Sequence, residues 1–480
     1  MDKKSITIYQ THIEVYPYKL GECEDIERLY TVYDPITHSR YTTGIVVLND
    51  TLYVPRGTSI TLLKRFFNSD PRYVNRFNKP KKFKCHVSMV NEPRDDVQKT
   101  SIRFLDGEGE FKNSLKYPQL GLNLETEFGK TFCTISHIVH TQQRALIVVH
   151  NDTVKHVWLN EFKKHTDISP DRLISVDGTP VIEKILNGKV DGDIYVVCHR
   201  SIQSYGDKYG WDKLNDVFIK MGIGIRVTDE AHLEFYNTIM MDLFSNIKSN
   251  IYLTANFSRG NPAEIKVYKR CFSSLHRFGE NINSKRKHII GYILKFKSGA
   301  TELDEATMSN FYGFNPGLYM DYELFQNKKI IEVFEYILRR VNSLEGKIVI
   351  ITPKKAHTEK IKELVDNMDL GKTCTIVNSD NTPEVNEANK EADIISTTIK
   401  SLGTGDNIKG LRTIICLEPI GQEITCNQLS GRLRELNDVD DNFFILITDD
   451  SIGNCRNKCK NSLRVFKKKF KKIIFEEFEE

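Results

Sequence analysis

The chain has 480 residues, 40% of them hydrophobic and 28% charged, enough for about three packed domains of ordinary size and too apolar for a disordered chain. Its formal net charge of +4 is too small to identify a polyanionic partner, and no apolar run approaches the ~20 residues that span a bilayer. Ten scattered cysteines form no Cys-x-x-Cys pair, so reduced thiols, a cytoplasmic location and neither secretion nor membrane insertion are expected.

From Met1 to about Lys112, short alternating runs at 6–9, 29–33 and 45–48 predict a small strand-rich α+β domain. The last run meets Leu52-Tyr53-Val54 across Asn49-Asp50-Thr51, whose turn chemistry predicts a β-hairpin. Residues 59–67 read as a capped helix that Asp70-Pro71 stops. Arg72, Arg76, Lys79, Lys81, Lys82 and Lys84 then interleave with Tyr73, Phe77 and Phe83. That pattern suits phosphate contacts beside base-stacking rings, and equally a solvated charged face.

Near Lys112 the pattern changes to apolar runs separated by helical segments, which predicts βαβ units and a parallel sheet. Leu124-Glu125-Thr126-Glu127-Phe128-Gly129-Lys130-Thr131 precedes a helical segment and carries the end of a phosphate-binding loop. In such a loop backbone N–H groups cradle phosphates, Lys130 neutralises their oxygens and Thr131 ligates Mg²⁺. Leu124 stands where the first glycine would be, and Gly-Lys-Thr read alone is also a plain helix start. Residues 145–149 and 194–197 predict buried strands, the second ending at Cys198-His199-Arg200-Ser201. Ile223-Gly224-Ile225-Arg226-Val227 predicts another, so Asp229 and Glu230 emerge at a strand's carboxyl end, where open α/β sheets hold ligands. One carboxylate there can hold Mg²⁺ while its neighbour orients the water that attacks a γ-phosphate. An isolated Asp-Glu pair is otherwise only a polar strand end. Residues 250–255 give the next strand.

Runs at 348–352, 376–377, 394–397, 413–417 and 443–447 predict a second α/β domain. It has no Gly-Lys-Thr, so any action on a nucleotide would come from an arginine, and Gln428-Leu429-Ser430-Gly431-Arg432-Leu433-Arg434 supplies candidates. Lys285-Arg286-Lys287-His288 and the region of Gly299 mark a connecting segment. Residues 464–472 read as a basic helix, followed by the acidic Glu476-Glu477-Phe478-Glu479-Glu480. That helix either packs its aromatics on the preceding domain or contacts nucleic acid.

Taken in order, Gly129-Lys130-Thr131, Asp229-Glu230-Ala231-His232, Leu253-Thr254-Ala255, Gly403-Thr404-Gly405-Asp406 and Gln428 to Arg432 resemble the motifs of superfamily 2 helicases with a DEAH-type second motif. The arrangement looks most like phage DNA helicases of the UvsW type and their viral and XPB-like relatives, and it covers residues 119–449. The resemblance implies two tandem RecA-like parallel-sheet domains, at 113–280 and 281–455. A nucleic-acid-binding accessory domain would precede them at 1–112, and a basic helix with an acidic tail would follow at 456–480. It implies ATP and Mg²⁺ as cofactors, with Glu127, Phe128, Gly129, Lys130 and Thr131 around the phosphates. Thr131 and Asp229 would hold Mg²⁺, Glu230 would activate water, and His232 and Thr254 would couple the nucleotide site to the strand-binding face. Gly405 and Asp406 would meet nucleotide and nucleic-acid backbone, and Gln428 and Arg432 would reach the γ-phosphate. The family's second arginine normally lies three residues after the first; Glu435 is there and Arg434 adjacent, so Arg432 and Arg434 are both finger candidates. Arg200, with Arg72, Arg76, Lys81 and Lys82, completes the expected nucleic-acid contacts. Two further departures are Glu127 in place of a loop glycine and Gln119 lying nearer the loop than the adenine-reading glutamine of many relatives.

The expected function is an ATP-dependent DNA helicase or translocase that remodels single-stranded, forked or branched DNA, moving 3′ to 5′, in replication, recombination or repair. An RNA helicase is an alternative because these motifs do not read the 2′-OH. A nucleic-acid clamp with a weakened ATPase is another, because of Leu124 and Glu127.

Overall fold

A computed structural model describes residues 4–34, 39–74, 77–117, 119–124, 128–254, 264–279, 282, 286–311, 313–402, 408–436 and 441–479. The chain divides into two compact units, Met1–Ile282 and Asn283–Glu480.

The first unit opens with β1 (Ser5–Ile8), β2 (His12–Tyr16), β3 (Thr31–Asp34), β4 (Ser39–Thr42), β5 (Val46–Leu48), β6 (Thr51–Pro55) and β7 (Pro71–Tyr73). Five of these form a sheet in the order β5-β6-β2-β1-β7, and β3 pairs with β4 separately. The expected hairpin joins β5 to β6, with Leu48 opposite Thr51. Its turn residues Asn49 and Asp50 have φ of 50° and 53°, the left-handed pair whose twist matches the flanking strands. The helix Ile60–Phe67 is capped by Ser59, whose side chain accepts from the Leu62 N–H, and it stops at Asn68 in the left-handed region. Ile6, Ile13, Val15, Leu52, Val54 and Leu63 make a small core of their own.

Phe83 and Val87 do not join that core. With Ile102, Phe104 and Leu105 of the helix Asp96–Asp106 they are buried in the core of the parallel sheet that follows. The Phe83 N–H donates to the Gln142 carbonyl at 2.9 Å, and its ring is 8% exposed, so it is a core side chain and offers no stacking platform.

That sheet contains β8 (Gln119–Asn123), β9 (Ala145–Val149), β10 (Leu173–Val176), β11 (Ile194–Cys198), β12 (Ile225–Thr228), β13 (Ser249–Thr254) and β14 (His276–Phe278). Its order is β10-β11-β9-β12-β13-β8-β14, with every pairing parallel. Strands covered by helices on both faces read as unbroken apolar runs, and β9 is buried along its whole length. Arg226 on β12 is an exception, an entirely buried guanidinium paired with Asp242 of the helix Phe235–Leu243. The Tyr252 hydroxyl donates to Asp242 Oδ1 at 2.8 Å, and Gln119 Nε2 donates to that hydroxyl at 3.0 Å. Gln119 Oε1 in turn accepts from Ser274, so the amide of Gln119 is spent inside the core.

The second unit contains β15 (Arg286–Phe296), the short pair β16 (Ser309–Asn310) and β17 (Gly313–Phe314), then β18 (Lys347–Thr352), β19 (Cys374–Val377), β20 (Ile394–Thr398), β21 (Leu411–Cys416), β22 (Asn442–Asp449) and β23 (Phe470–Glu477). Its main sheet is again all parallel, in the order β19-β20-β18-β21-β22-β15-β23. Ranked by position along the chain, both large sheets read 3-4-2-5-6-1-7.

Two expectations are corrected here. The segment expected to be a connection is β15, whose Ile289, Ile293 and Leu294 are fully buried. The acidic end is no tail: the basic helix Gly453–Lys469 stops before 472 and the chain continues as β23 against β15. Ile474 and Phe478 pack on the core, and Glu476 accepts from Arg340 Nη1 at 2.7 Å, so both apolar and acidic residues of this stretch have partners.

Candidate active site

Asp229 and Glu230 lie directly beyond the end of β12, at the carboxyl edge of the first parallel sheet. The chain turns sharply there. Glu230 has φ 45°, a left-handed conformation unusual for a residue with a side chain and worth ~1–2 kcal/mol of strain. The turn is held by the Asp229 N–H donating to Val148 O at 2.9 Å, the Glu230 N–H to Asp229 Oδ1 at 3.0 Å and the Ala231 N–H to Leu253 O at 3.0 Å. Glu230 is 6% exposed.

A third side chain fixes the pair. Trp158, buried on the helix Asp152–His165, donates its indole Nε1–H to Asp229 Oδ2 at 2.8 Å. Burial pushes the Asp229 carboxyl above the usual carboxylate range and the neighbouring Glu230 charge adds to it, while the Trp158 donor, the Lys130 ammonium and His150 oppose the shift. Lys130 is therefore within electrostatic reach of the acidic pair. His232 Nδ1 lies 3.3 Å from Glu230 Oε2 and 2.8 Å from Thr254 Oγ1, so the structure links Glu230, His232 and Thr254 in one chain of contacts from β12 to β13.

Gly129 has φ 71° and caps the helix Lys130–Thr141. That φ favours glycine, and a Cβ there would come within 2.4 Å of Gln98 Nε2 and displace its amide. Gly129 itself has no side chain to cap the helix, so among the described residues the first-turn N–H groups can face a ligand or water. Lys130 is 7% exposed and its Nζ donates to Leu124 O at 2.8 Å. Phe128 packs against the sheet core, and its carbonyl accepts from Gln98 Nε2 at 3.3 Å. The donor set suits a metal-bound triphosphate: an ammonium, a hydroxyl on Thr131, uncapped N–H groups and a buried carboxylate pair whose mutual repulsion a divalent cation would relieve.

Glu127, Arg76, Gly405 and Asp406 lie outside the described residues. Arg200 is exposed at the start of the helix His199–Tyr209, on the same carboxyl edge as Asp229. Arg72 is exposed on β7 of the small sheet. Lys81 and Lys82 are placed elsewhere. Lys82 Nζ donates to Thr141 O at 2.8 Å and the Lys81 N–H to Gly222 O at 2.8 Å, at the carboxyl ends of the two helices that lead into β9 and β12. This is the edge of the sheet opposite Asp229, where a lysine is favoured by the helix dipole. Arg72 thus belongs to the small sheet, whereas Lys81 and Lys82 are held against helices of the large one. In the second unit, Gln428 is half-buried on the helix Glu423–Ser430, Arg432 is half-buried just beyond it, and Arg434 is exposed while its carbonyl accepts from Asn442 Nδ2 at 2.6 Å.

Sequence reading missed Trp158 as a ligand of Asp229 and Gln98 as a brace of the phosphate loop. Asp95 caps the helix that carries Gln98, and this Asp-x-x-Gln start was the available signal. We expect Trp158→Phe to lower turnover about tenfold and to raise the Mg²⁺ concentration needed for half-maximal hydrolysis, since partners of metal-binding carboxylates typically contribute at that level. An unchanged Mg²⁺ dependence would reduce Trp158 to packing.

Two all-parallel sheets of one strand order fit two tandem RecA-like domains, and solved structures share this fold. S. cerevisiae Dbp5, solved bound to RNA and ADP BeF3, is similar over 80% of this chain and 90% of its own, with 12% identity and a TM-score of 0.53. The ATP-dependent Type ISP restriction-modification enzyme LlaBIII, solved bound to DNA, is similar over 81% of this chain and 31% of its own, with 16% identity and a TM-score of 0.51. T4 UvsW aligns over 99% of both chains at 12% identity, with a TM-score of 0.37. No protein-family model matches the sequence, and no curated protein is similar to it in sequence. No helix among the described residues is long and apolar enough to cross a membrane.

Proposed function

We propose that the chain is an ATP-dependent DNA helicase or translocase that remodels forked or branched DNA, moving 3′ to 5′. The observation that carries this reading is the linked set of Lys130, Asp229, Glu230, His232 and Thr254 along one sheet edge. Bound Mg²⁺ would supply charge neutralisation at the β and γ phosphates. Gly129 and the first helical turn would hold the phosphate oxygens through backbone N–H groups, Lys130, now on Leu124 O, would pair with them, and Thr131 and Asp229 would hold the metal. Glu230, fixed by its turn, orients water and accepts its proton at the carboxylate. His232 and Thr254 carry the change in Glu230's surroundings to β13. Stepping further requires that strand affinity differ between nucleotide states.

The test is ATP hydrolysis measured in parallel with single-stranded DNA, forked DNA and RNA. We expect DNA to stimulate hydrolysis, forked DNA most. Stimulation by RNA alone would make the chain an RNA helicase, and no hydrolysis with any of them would make it a clamp.

A further inference from the structure

A pocket of about 470 Å³ opens in the first unit where the helix Glu24–Leu29 and β3 meet the helix Ile265–Cys271. Its volume is in the range of small-ligand sites. Arg28, Lys266 and Arg270 line it, and no carboxylate is among its described lining residues, so three positive charges face one cavity. Leu29, Val32 and Val267 give it an apolar floor, and Tyr33 stands half-exposed at the rim.

The three cations differ in freedom. Arg270 is fixed: it donates to Leu29 O and lies over the Tyr30 ring at 5.6 Å. Lys266 is one helical turn before Arg270, hence on the same helix face, and is exposed. Arg28 pairs with Glu24 at 2.8 Å, but both side chains are 72% exposed, so that bridge is worth little and yields readily to a phosphate. Glu264, the nearest acid in sequence to Lys266, accepts from the Tyr41 hydroxyl at 2.9 Å. In the β3–β4 pair Arg40 is directly opposite Tyr33 and shares its face, which adds a fourth cation beside the aromatic rim.

A cluster of cations above an apolar floor, edged by an aromatic ring, has the chemistry of a single-strand site: phosphates on the cations and a base on the ring. We infer that this pocket seats a nucleotide of a single strand, apart from the sheet edge that carries Asp229. It thus gives the accessory region a strand contact besides Arg72, Lys81 and Lys82. The inference rests on the nucleic-acid reading above.

The test uses the full chain without ATP and the double variant Arg28→Ala/Lys266→Ala, which leaves the half-buried Arg270 in place. Binding of oligothymidylate and oligouridylate is measured by fluorescence anisotropy across salt concentrations. Acylation of Lys266 is followed in parallel by mass spectrometry, with an oligonucleotide or pyrophosphate present. We expect affinity to fall at least tenfold and the slope of log affinity against log salt to shrink by about 1.4, two phosphate contacts at ~0.7 each. Melting and ATP hydrolysis without nucleic acid should match the parent, and the oligonucleotide but not pyrophosphate should protect Lys266. Unchanged affinity and slope, in a parent that binds the oligonucleotide, overturn the pocket and leave the proposed function standing. Protection by pyrophosphate alone makes it a polyphosphate site and overturns the strand assignment. A parent that binds neither oligonucleotide sinks the proposed function as well.

Discussion

Glu230→Gln is expected to lower ATP turnover by about 10²–10⁴-fold while leaving nucleotide affinity within a few-fold of the parent. The substitution keeps the shape of a side chain that is 6% exposed and held in a left-handed turn, and it removes only the carboxylate proposed to accept the proton of the attacking water. Lys130→Ala separates binding from chemistry. Its Nζ is held by a single carbonyl, that of Leu124, among the described contacts, so its loss should weaken nucleotide binding itself. Single-turnover hydrolysis and nucleotide titration measure the two effects independently. If both variants hydrolyse ATP at the parent rate, the cleft is misassigned.

The second large effect is on stability. Asp242→Ala would leave the guanidinium of Arg226, which is 0% exposed, without its counter-charge, and removing one member of a buried ion pair costs about 3–5 kcal/mol. For a unit of this size that lowers the unfolding midpoint by roughly 10 °C. The chain's two tryptophans, Trp158 and Trp211, both lie in Met1–Ile282, so intrinsic fluorescence reports this unit's transition. Replacing both partners, as Arg226→Met/Asp242→Leu, should recover most of the loss, because two apolar side chains need no counter-charge. A midpoint within 2 °C of the parent for Asp242→Ala, by the ~2–4 °C per kcal/mol expected at this size, would mean that Arg226 finds another partner.

The strands that sequence reading found are those with unbroken apolar runs, such as Ala145-Leu146-Ile147-Val148-Val149 and Ile348-Val349-Ile350-Ile351. Strand β8 escaped because Gln119 and Gly121 interrupt it, and β14 because it has three residues, His276-Arg277-Phe278. Strand β15 was hidden by Arg286-Lys287-His288 at its start and Gly291 in its middle. That glycine has a packing reason: a Cβ there would meet the Phe470 ring at 2.9 Å, so its absence lets β23 close against β15. Such a reason is visible only once the partner strand is known. In the active site, the acids and the loop lysine were legible because their chemistry demands particular residue types at particular strand ends. Trp158 and Gln98 were not, since they act on residues 71 and 30 positions away; the Asp-x-x-Gln start at Asp95 marks a helix but not what Gln98 reaches, and nothing local marks Trp158.

The shared strand order 3-4-2-5-6-1-7 has a consequence for how the chain is made. In each large sheet the earliest strand is flanked by the two latest, so β8 waits for β13 and β14, and β15 waits for β22 and β23. A ribosome adding 5–20 residues per second would expose the apolar faces of β15 for roughly ten seconds or more before Asn442 and the residues after it emerge. Met1–Ile282 can close in that interval. The second unit cannot, and its waiting strand, with both hydrogen-bonding edges open, is the stretch that a chaperone would hold or that a neighbouring nascent chain would capture.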